Sequence, residues 1–216
     1  MANFHRVVAI DGPAASGKSS VARLLARRLG YSYVNSGAIY RAITWHILQR
    51  GIDAGDTERI AQTVEAARIS CRFRNSESHI LVDDFDPVEH LRDDRVNENV
   101  SRVSSIPRVR KTVVREMREY ARHRDLIVEG RDIGSVVFPE TPYKFYVDAS
   151  PEVRLRRRAA EGQRDKIAMR DRADFLRPIS PLIIAKDAQV IDTSHLTIEG
   201  VVKEIITRLK EMGLPI

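Results

Sequence analysis

Residues Gly12 to Ser19 read Gly-Pro-Ala-Ala-Ser-Gly-Lys-Ser, the pattern G-x-x-x-x-G-K-[ST], and this octet limits the fold more than any other part of the chain. Its glycines let the backbone turn so that successive N–H groups point into one concavity, a cradle for a phosphate chain. The cradle needs a strand to deliver it and a helix to leave it, because the helix N-terminus supplies further attraction for the anion. Both flanks fit. RVVAI at 6–10 is a short apolar run, and Val21, Leu24, Leu25 and Leu29 then recur at helical spacing. A nucleoside triphosphate is therefore expected on Gly12, Pro13, Ala14, Ala15, Ser16, Gly17, Lys18, Ser19 and Ser20. Lys18 would reach the β- and γ-phosphates and Ser19 the Mg²⁺ that travels with them.

The same alternation continues. YSYV at 31–34, DLIVE at 125–129, KFYVDA at 144–149 and AQVID at 188–192 read as buried strands, and helical patterns fit 37–50, 109–123, 151–161 and 197–212. Strand, helix, strand in succession predicts an α/β fold with a five-stranded parallel sheet covered by helices on both faces. With 216 residues and 43% hydrophobic content the chain suits one domain with inserts. Residues 68–91 break the pattern. Two or three short strands joined by the turn signals Asn75-Ser76 and Asp83-Asp84 predict a small separate sheet inserted in the core.

Other classes find little support. MANFHRVVAIDG does not read as a secretory signal, and no run approaches the ~20 apolar residues of a membrane span. A single cysteine, Cys71, allows no internal disulfide and points to a reducing, cytoplasmic setting. Six scattered histidines lack the spacing of metal ligands, so no protein-bound transition metal is expected. The net charge of +6 fits nucleic acid or a polyphosphate substrate equally, but the arginines are spread over several segments without an aromatic platform, which favours the substrate. No N-K-x-D motif for guanine follows the loop, and no Asp-Glu pair ends an apolar strand, so water as the phosphoryl acceptor is unsupported.

Four further stretches carry arginine where a second anion could bind: S-G-A-I-Y-R at 36–41, P-R-V-R at 107–110, G-R-D-x-G-x-V-V-F-P at 130–139, and R-D-x-x-D-x-x-R at 170–177 followed by Pro181-Leu182. With the phosphate loop, and in this order, they make the chain resemble bacterial cytidylate kinases from Val7 to about Lys210. The resemblance implies a P-loop kinase fold, MgATP as donor, and CMP or dCMP as acceptor. It implies a monophosphate-binding subdomain over 36–112, with the strands at 68–91 as its insert, and a short lid over 153–177. Only eleven residues separate Arg158 from Arg170, which shortens that lid. The implied enzyme acts as a monomer, without nucleic acid or membrane as partner.

Residue by residue, the resemblance implies that Arg41 and Arg131 bind the acceptor phosphate, with Arg170 and Arg177 converging on the transferring group. Ser36, Tyr40 and Arg92 would stand in the acceptor site, and Asp174 would hold the pentose hydroxyls. Arg154, Arg157 and Arg158 would open the lid over ATP, while Glu129 could orient a magnesium-bound water. For the base, Asp132 would accept from the cytosine amino group, with Arg110 on the acceptor edge and Ser101 beside them. Two bland readings stay open: Ser36 as the cap of the helix that follows, and Asp132 as the ion-pair partner of Arg131. A kinase for UMP or another small phosphorylated acceptor is the alternative function.

Overall fold

The structure, a computed structural model, describes residues 5–160, 171–172, 174–177 and 179–216. In chain order the elements are β1 (Val7–Asp11), α1 (Lys18–Leu29), β2 (Ser32–Asn35), α2 (Ser36–Gln49), α3 (Thr57–Ala66), β3 (Ile69–Arg74) and β4 (Glu77–Val82). Then follow α4 (Asp94–Ser104), α5 (Pro107–Tyr120), β5 (Leu126–Gly130), β6 (Tyr143–Asp148), α6 (Pro151–Ala160), β7 (Gln189–Asp192) and α7 (Ile198–Glu211).

The sheet runs β3-β4-β2-β5-β1-β6-β7, and the five strands from β2 to β7 are mutually parallel. All five residues of β1 and of β5 are buried, as strands covered on both faces must be. Alternation divides the core into two layers. Val7 and Ala9 face α2, α3 and α5, whereas Val8 and Ile10 face α1 and α7.

Two expectations need correction. The sheet has seven strands, not five, and the strands of 68–91 form no separate sheet. β3 and β4 are an antiparallel hairpin turned by Asn75 and Ser76, both at positive φ (50° and 63°), as the turn signal required. That hairpin adds to the free edge of β2 through the pair Tyr33↔Glu77, and Tyr33 N–H donates to Ser76 O at 2.7 Å. An edge strand with unpaired backbone groups is a template for such addition. Asp83 and Asp84 also lie at positive φ, closing β4.

Register brings the functional ends together. Asp11 lies opposite Gly130, and Asn35 opposite Glu129, so the segments leaving β1, β2 and β5 meet at the carboxyl edge of the sheet. In open α/β sheets that edge is where ligands bind.

Candidate active site

The phosphate loop is folded around its own lysine. Gly17 caps α1 at φ 90°, and a Cβ at Gly12 would stand 2.1 Å from Val147 O, so the first glycine is demanded by close approach to β6. Lys18 is 6% exposed and donates to Pro13 O at 2.8 Å. Ser16 Oγ is buried without a hydrogen-bond partner among the described residues, Ser19 is partly buried, and Ser20 faces outward on α1.

Glu129, buried at the end of β5, accepts from Ser19 Oγ at 2.7 Å and from Tyr33 OH at 3.1 Å. A hydroxyl and a carboxylate side by side suit Mg²⁺, which takes few protein ligands beside phosphate oxygens and water. Among the described residues no cluster of three or more His, Cys, Asp or Glu side chains forms a metal cage.

Asp11 escaped the sequence reading, although a carboxylate ending an apolar strand beside a phosphate loop is a usable signal. It accepts from Ile133 N and Gly134 N, both at 2.8 Å, and so pins the π-helical turn Ile133–Val137 that follows Asp132. Burial, partly offset by those two N–H donors, pushes its pKa up to about 6.

A cleft of about 500 Å³ opens beside Lys18 and Ser19. Ser36, Tyr40, Arg41, Arg92, Ser101, Arg110, Glu129, Arg131, Asp132, Arg158, Asp174 and Arg177 all line it. The structure thus brings together on one cleft every expected acceptor-site residue that it describes. Arg170 lies outside the described residues, as do residues 161–169 and 173 of the expected lid.

On the wall of the same cleft Arg110 and Asp132 form an ion pair with side chains 4% and 6% exposed. Arg110 also donates to Ser104 O at 3.0 Å and lies over the Tyr40 ring, 5.5 Å from its centroid. Asp132 therefore pairs with Arg110, not with its neighbour Arg131. Burial pushes the Tyr40 phenol up to about 12.

Arg131 reaches back, donating from Nε to Asp174 Oδ2 at 2.8 Å and from a terminal nitrogen to Gly12 O at 3.0 Å. Arg177 pairs with the other oxygen of Asp174. Burial pulls the Arg177 guanidinium below its usual range, against the pull of Asp174. Arg41 is held by Leu91 O at 3.0 Å and by Asn97 Oδ1 at 2.6 Å. Arg92 is exposed at the rim and Ser101 half-buried on α4. Ser36 is buried, with its Oγ against Gly130, but the cap of α2 is Asn35, whose side chain accepts from Ala38 N at 3.0 Å.

On the other side of the loop the α6 arginines grip backbone. Arg154 donates to Ala14 O at 3.2 Å and pairs with Asp171, which also accepts from Ala14 N at 3.0 Å. Arg157 donates to Ser16 O at 3.2 Å, to Thr193 Oγ1 at 3.0 Å and to Thr193 O at 2.7 Å. Thr193 and Asn97 carry no motif of their own, and Asp171 drew no role from the motif it belongs to; the fold shows that they hold the arginines and the loop.

A profile of the family described as cytidylate kinase matches residues 8–211. The chain belongs to the cytidylate kinase family. Its similarity to a cytidylate kinase of Limosilactobacillus reuteri is 37% identity, covering 94% of this chain and 95% of that protein. For a cytidylate kinase of Streptococcus suis the identity is 40%, over 95% and 96%. Outside cytidylate kinases of such identity the fold persists. The crystal structure of TT1252 from Thermus thermophilus aligns with 18% identity and a TM-score of 0.50, covering 96% of this chain and 99% of that one.

Proposed function

We propose that this chain transfers the γ-phosphoryl group of ATP to the phosphate of CMP or dCMP, giving ADP and CDP or dCDP. The observation that carries the reading is a single cleft lined by Lys18 and Ser19 of the phosphate loop, by the buried Arg110 and Asp132, and by Arg131 and Arg177. Membership of the cytidylate kinase family supports the choice of base.

An acceptor phosphate oxygen attacks the γ-phosphorus as the bond to the β–γ bridging oxygen breaks, and ADP leaves. A monophosphate has its second pKa near 6, so its oxygens are already ionised at neutral pH and no general base is required. The protein's task is to hold two mutually repelling anions in line and to neutralise the charge that passes between them. Lys18 and Arg131, with Arg177 and Arg170, do this. Ser19, with Glu129 orienting a magnesium-bound water, would hold Mg²⁺, which would supply neutralisation of charge on the β- and γ-phosphates.

Arg41 and Arg131 bind the acceptor phosphate, Ser36 and Arg92 stand in the same acceptor site, and Asp174 exchanges its arginine partners for the pentose hydroxyls. Asp132 accepts from the cytosine amino group while Arg110, with Ser101, meets the ring acceptors. Uracil turns an oxygen toward the same carboxylate and is rejected. Tyr40 backs this base site, and Arg154, Arg157 and Arg158 belong to the ATP side. Residues 36–112 act as the monophosphate-binding subdomain and 153–177 as the lid, whose closure keeps water from the γ-phosphate. The unit of function is a monomer. Its setting is the cytoplasm, and no described helix is long and apolar enough to cross a membrane.

ADP release measured with CMP, dCMP, UMP and AMP in turn tests the reading. Fast release is expected with CMP or dCMP alone. Equal release with UMP would move the chain to the alternative acceptor, and release without any acceptor would make it a hydrolase.

A further inference from the structure

The hydrogen bonds at Glu129 continue beyond Ser19 into a part of the cleft wall that none of the phosphate-binding groups uses. Glu129 Oε1 is shared: Ser19 Oγ donates to it at 2.7 Å and Tyr33 OH at 3.1 Å. A phenol is protonated at neutral pH and a carboxylate only accepts, so the direction of the second bond is fixed. Tyr33 OH in turn accepts from Asn35 Nδ2 at 3.3 Å. Asn35 is itself immobilised, because its oxygen caps α2 by accepting from Ala38 N at 3.0 Å.

The ring of Tyr33 has no freedom to leave. It is 3% exposed, the Arg23 guanidinium lies 5.1 Å from its centroid, and Arg23 Nε is paired with Glu77 Oε2 at 2.9 Å. Glu77 is also the backbone partner of Tyr33 where the hairpin joins β2. The hydroxyl is thus fixed by two layers of contacts, and it meets the carboxylate of a glutamate. An aspartate at 129, one methylene shorter, would withdraw the carboxylate from the phenol.

We propose that Tyr33 is a positioning residue for the divalent cation site: its hydroxyl holds the Glu129 carboxylate beside Ser19, so that both oxygens face the cation carried by the bound nucleotide. This rests on the reading of Ser19 and Glu129 given above. The role of Tyr33 is separable from it, because the hydrogen bonds of the phenol run to Glu129 and Asn35 and not to Lys18 or Ser19. An outer hydrogen bond to a metal-binding carboxylate is worth about tenfold or more in metal affinity.

The test is Mn²⁺ binding to the protein–ADP complex, followed by electron paramagnetic resonance, which reads cation occupancy without turnover. Tyr33→Phe keeps the ring, its burial and its contact with Arg23, and removes only the hydroxyl. Its dissociation constant for Mn²⁺ is expected to rise about tenfold, while ADP affinity without metal and the melting temperature stay close to wild type. In a Glu129→Asp background the same change should alter Mn²⁺ affinity by less than about twofold, because the bond it removes is already lost. Wild-type Mn²⁺ affinity in Tyr33→Phe would overturn the proposal, and so would an equal loss in both backgrounds. If Glu129→Gln bound Mn²⁺ as wild type does, the cation site itself would be elsewhere and this role of Tyr33 would fall with it.

Discussion

Removing the carboxylate of Asp132 separates what the Arg110–Asp132 pair does for the fold from what it does for the base. Both side chains are almost fully buried, and among the described residues the Arg110 guanidinium has, apart from Asp132, the contacts of Ser104 O and the face of Tyr40. Asp132→Ala therefore leaves a cation uncompensated in the interior, a change that costs about 3–5 kcal/mol. At about 2 °C or more per kcal/mol for a chain of this length, the melting temperature should fall by at least ~6 °C. Catalysis should suffer differently. The contact to the cytosine amino group is worth roughly 1–3 kcal/mol of discrimination, so the ratio of kcat/KM for CMP over UMP should shrink by about 5–150-fold. Replacing both partners, as Arg110→Met with Asp132→Leu, should restore most of the stability, since apolar groups of similar volume suit such a site. It should leave the CMP preference collapsed. The assays are thermal melting without nucleotide and coupled ADP release with each monophosphate. A double variant that melted like wild type and still preferred CMP would refute the assignment of base reading to this pair.

Three further outcomes follow from the same geometry. Lys18→Ala should lower kcat by about 10²–10³-fold or more, since it removes a fixed cation from the transferring phosphate, and circular dichroism should show an intact fold; wild-type turnover would contradict the loop's role. Gly12→Ala forces a Cβ against Val147 O, 2.1 Å away in the present backbone, so the loop or β6 must shift; a loss of about 1–3 kcal/mol in thermal unfolding is expected, together with weaker ATP binding by calorimetry. Asp11 should titrate near pH 6 by carboxyl ¹³C NMR. The folded protein then keeps a proton that the unfolded chain has lost, so this group's contribution to stability is full below about pH 4 and fades as pH rises through 6. A midpoint in the ordinary aspartate range would show that the N–H bonds of Ile133 and Gly134 outweigh burial.

The five parallel strands, the flanking helices α1, α2, α5, α6 and α7, and the hairpin turn at Asn75-Ser76 were legible in the sequence, because period, run length and turn chemistry are local properties. What escaped was decided across the sheet. The hairpin looked like an independent unit because nothing in 68–91 says that β2 ends with a free edge. Helix α4, DRVNENVSRVS, is so polar that its stripe of Val96, Val100 and Val103 was passed over, although their spacing is helical and all three are buried. At the site, motif residues declared themselves, whereas the pairings between them did not. Asp171 stands 17 residues from Arg154, and Asp174 stands 43 from Arg131, so which carboxylate neutralises which arginine depends on tertiary distance. Tyr33 and Asn35 read as ordinary strand residues until the hairpin and Glu129 close around them. Asp174 shows the limit most clearly. Sequence spacing placed it near Arg177, and only the fold adds that it also occupies Arg131.

On binding of both nucleotides, Arg131 and Arg177 are expected to leave Asp174 and meet at the junction between them. A crystal structure with ADP, Mg²⁺, a phosphoryl-transfer transition-state mimic and CMP bound tests it most directly. Guanidinium nitrogens of both arginines within hydrogen-bonding distance of the transferring group, and Asp174 on the pentose, are the predicted result. Both arginines still paired with Asp174 and remote from that group would contradict it.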